Sequence, residues 1–190
     1  MRKAKKTLTM VLAFVLVAAL SVAGTVAYLT STTGPVTNTF TVGKIKITLD
    51  EAKVDEYGVK DNPEVRQTEN TYKLIPGHNY TKDPTIHVEA GSEPCWLAAK
   101  IENGLGDAAT ITMSAGWTQV GTSDIWVYAD KVDALEEAKD VVIFTDFTFG
   151  LNANPETYKD NKIVVTAYAI QAEGFNNATA AYNATFGATP

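Results

Sequence analysis

Apolar and polar residues alternate with a period of two along most of the chain, the pattern of half-buried β-strands. Phe40 and Val42 share one parity, and Ile45, Ile47 and Leu49 share the other. The switch falls at Gly43, which predicts a bulge or bend there. Lys44, Lys46 and Thr48 supply the polar face of this first strand. Residues 72–75 read as a short strand stopped by the turn pair Pro76-Gly77. Residues 85–89 place Ile86 and Val88 inward and His87 outward, and residues 95–102 put Cys95, Leu97, Ala99 and Ile101 on one face. Residues 117–120 and 125–128 read as strands joined at Gly121-Thr122-Ser123-Asp124. Residues 141–149 predict one long alternating strand. Residues 163–172, β-branched and aromatic, predict the last strong one.

Between these runs the chain is punctuated by turn residues. Residues 50–71 are charged and turn-rich, with Tyr57-Gly58 and Asn62-Pro63, and Gly91-Ser92-Glu93-Pro94 and residues 103–107 form further turns. One short helix is expected at residues 133–139, where Asp133 can cap and Glu136 can reach back to it. Residues 152–161 read as a loop, and the Ala/Asn/Thr-rich tail after Gly174 as a weak strand or a frayed end. About eight short strands with Gly, Pro and Asn turns and little helix imply an all-β sandwich or barrel.

The N-terminus departs from this pattern. Arg2, Lys3, Lys5 and Lys6 precede an uncharged run from residue 8 to 29, and the small residues Ser21, Ala23, Gly24, Thr25 and Ala27 gather at its end. That order matches a secretory signal peptide. Two cleavage frames fit, Ser21-Val22-Ala23 and Thr25-Val26-Ala27, each with small residues where peptidase pockets are shallow. A retained membrane anchor is the rival reading, because the run has the ~20 residues needed to span a bilayer. Residues 28–38, with Ser31, Thr32, Thr33 and Gly34-Pro35, read as a polar, extended leader. The sequence to Pro190 shows no apolar tail followed by bases, so no C-terminal wall-sorting anchor is expected.

Composition narrows the partners. Hydrophobic residues are 45% and charged residues 20%, a globular balance that can build a core. Net charge is −6, but the first 27 residues hold four of the 16 bases and no acid, so residues 28–190 carry 12 bases against 22 acids, a net −10. Such a surface repels phosphate backbones, so nucleic acid is not an expected partner. The single cysteine, Cys95, stands among Pro94, Trp96, Leu97 and Ala98. It reads as a buried structural thiol, because no oriented base accompanies it.

Candidate chemistry is sparse. There are two histidines, His78 in a turn and His87 on the outer face of a strand. Without a placed third ligand they make a poor zinc site, and no His-Glu-x-x-His pair is present. No nucleophile elbow, phosphate loop or calcium loop is found, so no catalytic residue, metal or cofactor is assigned. Trp96, Trp117 and Trp126 lie on expected strands and read as core, with a carbohydrate platform as the alternative. Asn79-Tyr80-Thr81, Asn177-Ala178-Thr179 and Asn183-Ala184-Thr185 fit the glycan acceptor pattern.

Several blocks together resemble the TasA/camelysin family of Gram-positive bacteria. Gly24-Thr25-Val26-Ala27-Tyr28 resembles the segment cut by that group's dedicated signal peptidase. Asn38-Thr39-Phe40-Thr41-Val42-Gly43-Lys44-Ile45 resembles its first strand. Leu74-Ile75-Pro76-Gly77, Lys82-Asp83-Pro84-Thr85-Ile86 and Gly91-Ser92-Glu93 resemble its central block, and Ala167-Tyr168-Ala169-Ile170-Gln171-Ala172-Glu173-Gly174 its closing strand. The resemblance implies a signal peptide at 1–27 cut between Ala27 and Tyr28, with Thr25 at −3. It implies a leader at 28–38 and a jelly-roll-like antiparallel β-sandwich at 39–190, secreted to the matrix or cell surface. It further implies a biofilm matrix subunit that joins its own copies or related subunits by donating an N-terminal strand, here Tyr28, Leu29, Thr30, Ser31, Thr32 and Thr33. One member, camelysin, is classed as a surface metalloprotease, and that activity is not carried over, for want of a ligand set. That activity, or a monomeric surface binding module, is the alternative. The expected partners are then copies of itself and the signal peptidase, with membrane contact only through the uncleaved signal segment.

Overall fold

The β-branched and aromatic run Ile163–Gln171 forms one of the two longest strands, as its fit to a pleated, half-buried surface requires. The structure is a computed structural model and describes residues 44–187. The expected signal peptide, its cleavage residues Thr25, Ala27 and Tyr28, the donor segment 28–33 and the bend at Gly43 lie outside the described residues.

Twelve strands, all paired antiparallel, are arranged in three sheets among the described residues. The first sheet holds β1 (Ile47–Ala52), β2 (Arg66–Gln67), β4 (Thr85–Val88) and β10 (Lys139–Val142) in the order β10-β4-β1-β2. The second holds β3 (Asn79–Thr81), β6 (Ala109–Met113) and β11 (Phe144–Phe149) in the order β3-β11-β6. The third is built on the twelve-residue β5 (Ser92–Asn103). One edge of β5 takes β12 (Ile163–Gln171); the other takes β8 (Ile125–Tyr128) and then β9 (Val132–Ala134), with β7 (Trp117–Gln119) beyond β8. Two short α-helices complete the fold, α1 (Pro155–Tyr158) and α2 (Ala178–Phe186). The all-β expectation holds at this level.

Both faces of β5 are buried, which explains its nearly continuous apolar run. Cys95, Leu97, Ala99 and Ile101 pack with Ile86, Val88, Val141, Ile143 and Phe144 in the main core. Trp96 and Ala98 face the other way and pack with Ile125, Val127, Ile170 and three residues of α2, namely Ala178, Ala181 and Tyr182. A third cluster gathers Tyr80, Phe147 and Phe149, with Tyr80 and Phe147 stacked at 4.9 Å between ring centroids.

Four local expectations need correction. Residues 133–139 are not a helix: Val132 and Ala134 are buried alternately and pair with Cys95 and Ser92. Seven residues are too few for a helix to hold itself, so the ladder and core win. Asp133 instead caps a turn, its Oδ1 accepting the Leu135 N–H at 3.2 Å. The single long strand at 141–149 is two strands. At Ile143 the chain leaves the first sheet for the second, and a register shift between Phe144 and Phe147 turns the parity over. The described part of the tail, residues 175–187, is neither strand nor frayed. Asn177 caps α2 by accepting the Ala180 N–H at 2.8 Å, and Gly187 ends it at φ 89°. Residues 72–75 alternate in burial but join no ladder. There the Tyr80 hydroxyl accepts from Ile75 N at 2.7 Å and donates to Lys73 O at 2.6 Å.

Candidate functional site

An antiparallel strand exposes a row of unpaired N–H and C=O groups on any edge it does not share. β12 pairs with β5 over nine consecutive positions, from Ile163↔Asn103 to Gln171↔Cys95. Among the described residues no strand pairs with its other edge. Across from it, β1 pairs with β4 from Ile47 to Asp50, and β2 meets its far edge at Glu51 and Ala52 alone.

The two half-free edges flank a groove of about 660 Å³. Leu49, Asp50 and Glu51 line it from β1, Ile163, Val164 and Val165 from β12, and Tyr72, Leu74 and Tyr158 are among its other aromatic and apolar lining residues. The packing reports the same seam. Ile86, Val88, Leu97 and Ala99 are completely buried, whereas Ile47, Leu49, Ile163, Val165, Ala167 and Ala169 pack on the same core yet remain half-buried. Val164 on the outer face is 44% exposed. The sequence therefore supplies core-type side chains along two edges that the described strands do not cover.

Asp50, in the lining of the groove, belongs to a network of charges. His87 on β4 bridges its neighbours, with Nδ1 2.7 Å from Asp140 on β10 and Nε2 2.8 Å from Asp50 on β1. Burial works against the imidazolium, but the hydrogen bonds and charges of Asp50 and Asp140 outweigh it and hold its pKa above the usual value. Asp50 also accepts from Arg66 Nε at 2.7 Å. Burial pushes its carboxyl up, yet His87 and Arg66 hold it below the usual range. Asp83 is nine-tenths buried and behaves likewise. Lys60 at 2.7 Å, the Ala52 N–H at 2.6 Å and Arg66 overcome its burial and keep its pKa low.

A second group sits deeper. Glu51 Oε2 accepts from Lys82 Nζ at 2.6 Å, and its Oε1 accepts from Asn70 Nδ2 at 3.0 Å. The Glu51 and Lys82 side chains are 5% and 11% exposed. Asn70 Nδ2 donates again to Ala52 O at 2.9 Å, while its Oδ1 accepts from the Val54 N–H at 3.0 Å and from Gln67 Nε2. In the sequence Lys82 stands out only as part of a longer block. Asn70 and Glu51 carried no local signal, because their chemistry depends on pairing between distant segments.

The two histidines do not share a ladder. His87 is within the first sheet, and His78 precedes β3 in the second, where its Nε2 lies 2.9 Å from Tyr57 O and its ring meets Tyr80 edge-on at 4.5 Å. Among the described residues no three His, Cys, Asp or Glu side chains converge as a metal cage would require. Cys95 is completely buried, and burial pushes its thiol up to about 11. Trp96 and Trp117 are buried as expected, and Trp126 is half-buried against the core. Asn177, read as a glycan acceptor, serves as the α2 cap. Compared with known protein families, curated proteins and solved structures, the chain finds no match in any of the three.

Proposed function

We propose that this chain is a secreted, non-enzymatic matrix subunit that assembles into fibres by strand donation. The observation that carries the reading is the edge of β12 that no described strand pairs, beside the seam where core-facing residues stay half-buried. An extended segment laid along that edge satisfies its free backbone groups and covers the seam. In this reading the sheets form a jelly-roll-like sandwich that a strand from a neighbour completes. The donor is the segment Tyr28 to Thr33 of the next copy, freed by cleavage after Ala27 and ended by Gly34-Pro35, since proline lacks a ladder donor. Such a contact is head-to-tail and does not close, so it propagates as a filament at the cell surface or in the matrix. The family resemblance supports the same reading.

Electron microscopy of two purified forms tests it. Residues 28–190 are expected to form fibres, and residues 39–190 to stay monomeric. Monomers from both, or fibres from both, would sink strand donation by this segment.

A further inference from the structure

We propose that Lys82 and Asn70 become joined by an intramolecular isopeptide bond that the folded chain forms on itself, with Glu51 as the proton carrier. The reactants are already assembled. The amine of Lys82 and the amide nitrogen of Asn70 each sit within one hydrogen bond of the same carboxylate, on different oxygens of Glu51. The amide is held by both ends. Its two N–H groups go to Glu51 Oε1 and Ala52 O, and its oxygen takes the Val54 N–H and Gln67 Nε2. That uses every hydrogen-bonding position of the side chain, so its orientation is fixed. Two donors on Oδ1 also polarise the carbonyl carbon and wait where negative charge develops during attack. A salt bridge that served stability alone would need neither the amide on its second oxygen nor those two donors.

The chemistry balances without an outside reagent. The Lys82 ammonium passes a proton to Glu51, and the freed amine attacks Asn70 Cγ, forming the new C–N bond. The carbonyl electron pair moves onto Oδ1, where the Val54 N–H and Gln67 Nε2 donors stabilise the negative charge. Glu51 then protonates the amide nitrogen of Asn70 and takes the second proton from Lys82 Nζ. The carbonyl re-forms as the original C–N bond breaks, and ammonia leaves. Holding nucleophile, carbonyl and proton carrier in one place replaces the collisions that make this reaction negligible in free solution. The groove gives ammonia a way out, because Glu51, Asn70 and Lys82 all line it.

Mass spectrometry of purified residues 28–190, the chain left by cleavage after Ala27, decides the matter. The amine nucleophile displaces ammonia, so the folded protein should be lighter than its sequence by about 17 Da. Trypsin normally cuts after Arg66, Lys73, Lys82 and Lys100. With Lys82 acylated, residues 67–73 should appear covalently attached to residues 74–100, and tandem spectra should place the link between Asn70 and Lys82. Lys82→Arg and Glu51→Gln should each restore the full mass and release the separate peptides. Separate peptides from the unaltered chain would overturn the proposal. So would a loss of equal mass mapping to Asn103-Gly104, where an asparagine can cyclise onto its own backbone. A link that still forms completely in Glu51→Gln would overturn the role given to Glu51. The result for the unaltered protein stands even if a variant fails to fold.

Discussion

His87 shows how a single side chain can tie three strands. It stands on the middle strand β4, with Asp140 of β10 and Asp50 of β1 on either side and Arg66 of β2 behind Asp50. Its proton is held more tightly folded than unfolded, so this pairing stabilises the fold fully below the ordinary imidazole value of 6.5 and is lost as pH climbs through the raised one. Asp50 and Asp83 release theirs more readily when folded. Their contribution is present above the ordinary 3.8 and is lost as pH falls through the lowered values. Thermal unfolding should therefore come at its highest temperature between about pH 4 and 6.5. Replacing His87 with Gln should flatten the decline on the alkaline side and, because His87 also helps hold Asp50 low, shrink the acid-side decline to the part that Arg66 and Asp83 carry. An unchanged alkaline decline in that variant would show that the histidine bridge contributes nothing to it.

Among elements, those with strong local pattern were legible and those made by distant partners were not. β4, β8 and β12 follow the alternation of their own side chains, and their bounds differ little from the expected ones. β9 is a strand because β5 offers it an edge, although its own sequence resembles a capped helix. α2 is the converse. Its apolar spacing, Ala178, Ala181 and Tyr182, is helical, but a run of alanine, asparagine and threonine with little bulk hides the signal. Tyr182 packs edge-on against Tyr168 of β12 at 6.1 Å, so the helix covers the outer face of the third sheet. Asn177→Ala should lower stability by about 1 kcal/mol through loss of the cap. Urea unfolding checks this, and a midpoint equal to that of the parent would mean that packing alone holds the helix end.

At the scale of the whole molecule, the all-β class was readable from turn spacing and alternation, but the groove was not. Its walls come from residues more than 100 positions apart, Leu49 to Glu51 and Ile163 to Val165, and period-two patterns carry no record of which strand meets which. The same holds for Glu51, Asn70 and Lys82. Alternate amides of an edge strand point away from its partner. Every second amide of β12 should thus exchange its hydrogen quickly in the isolated subunit and slow at least tenfold in fibres, while β5 stays protected in both. Equal exchange in the two states would place the subunit contact elsewhere. The nine-position ladder between β12 and β5 also has a mechanical consequence. A neighbour attached along β12, as proposed, would pull parallel to the strand, so tension would load the hydrogen bonds of that ladder together, as shear. They must then fail at once rather than unzip in turn. Because β5 is clamped by packed side chains on both faces, the force spreads into two cores, and a filament built this way would resist stretching at the strand that the rest of the subunit holds most firmly.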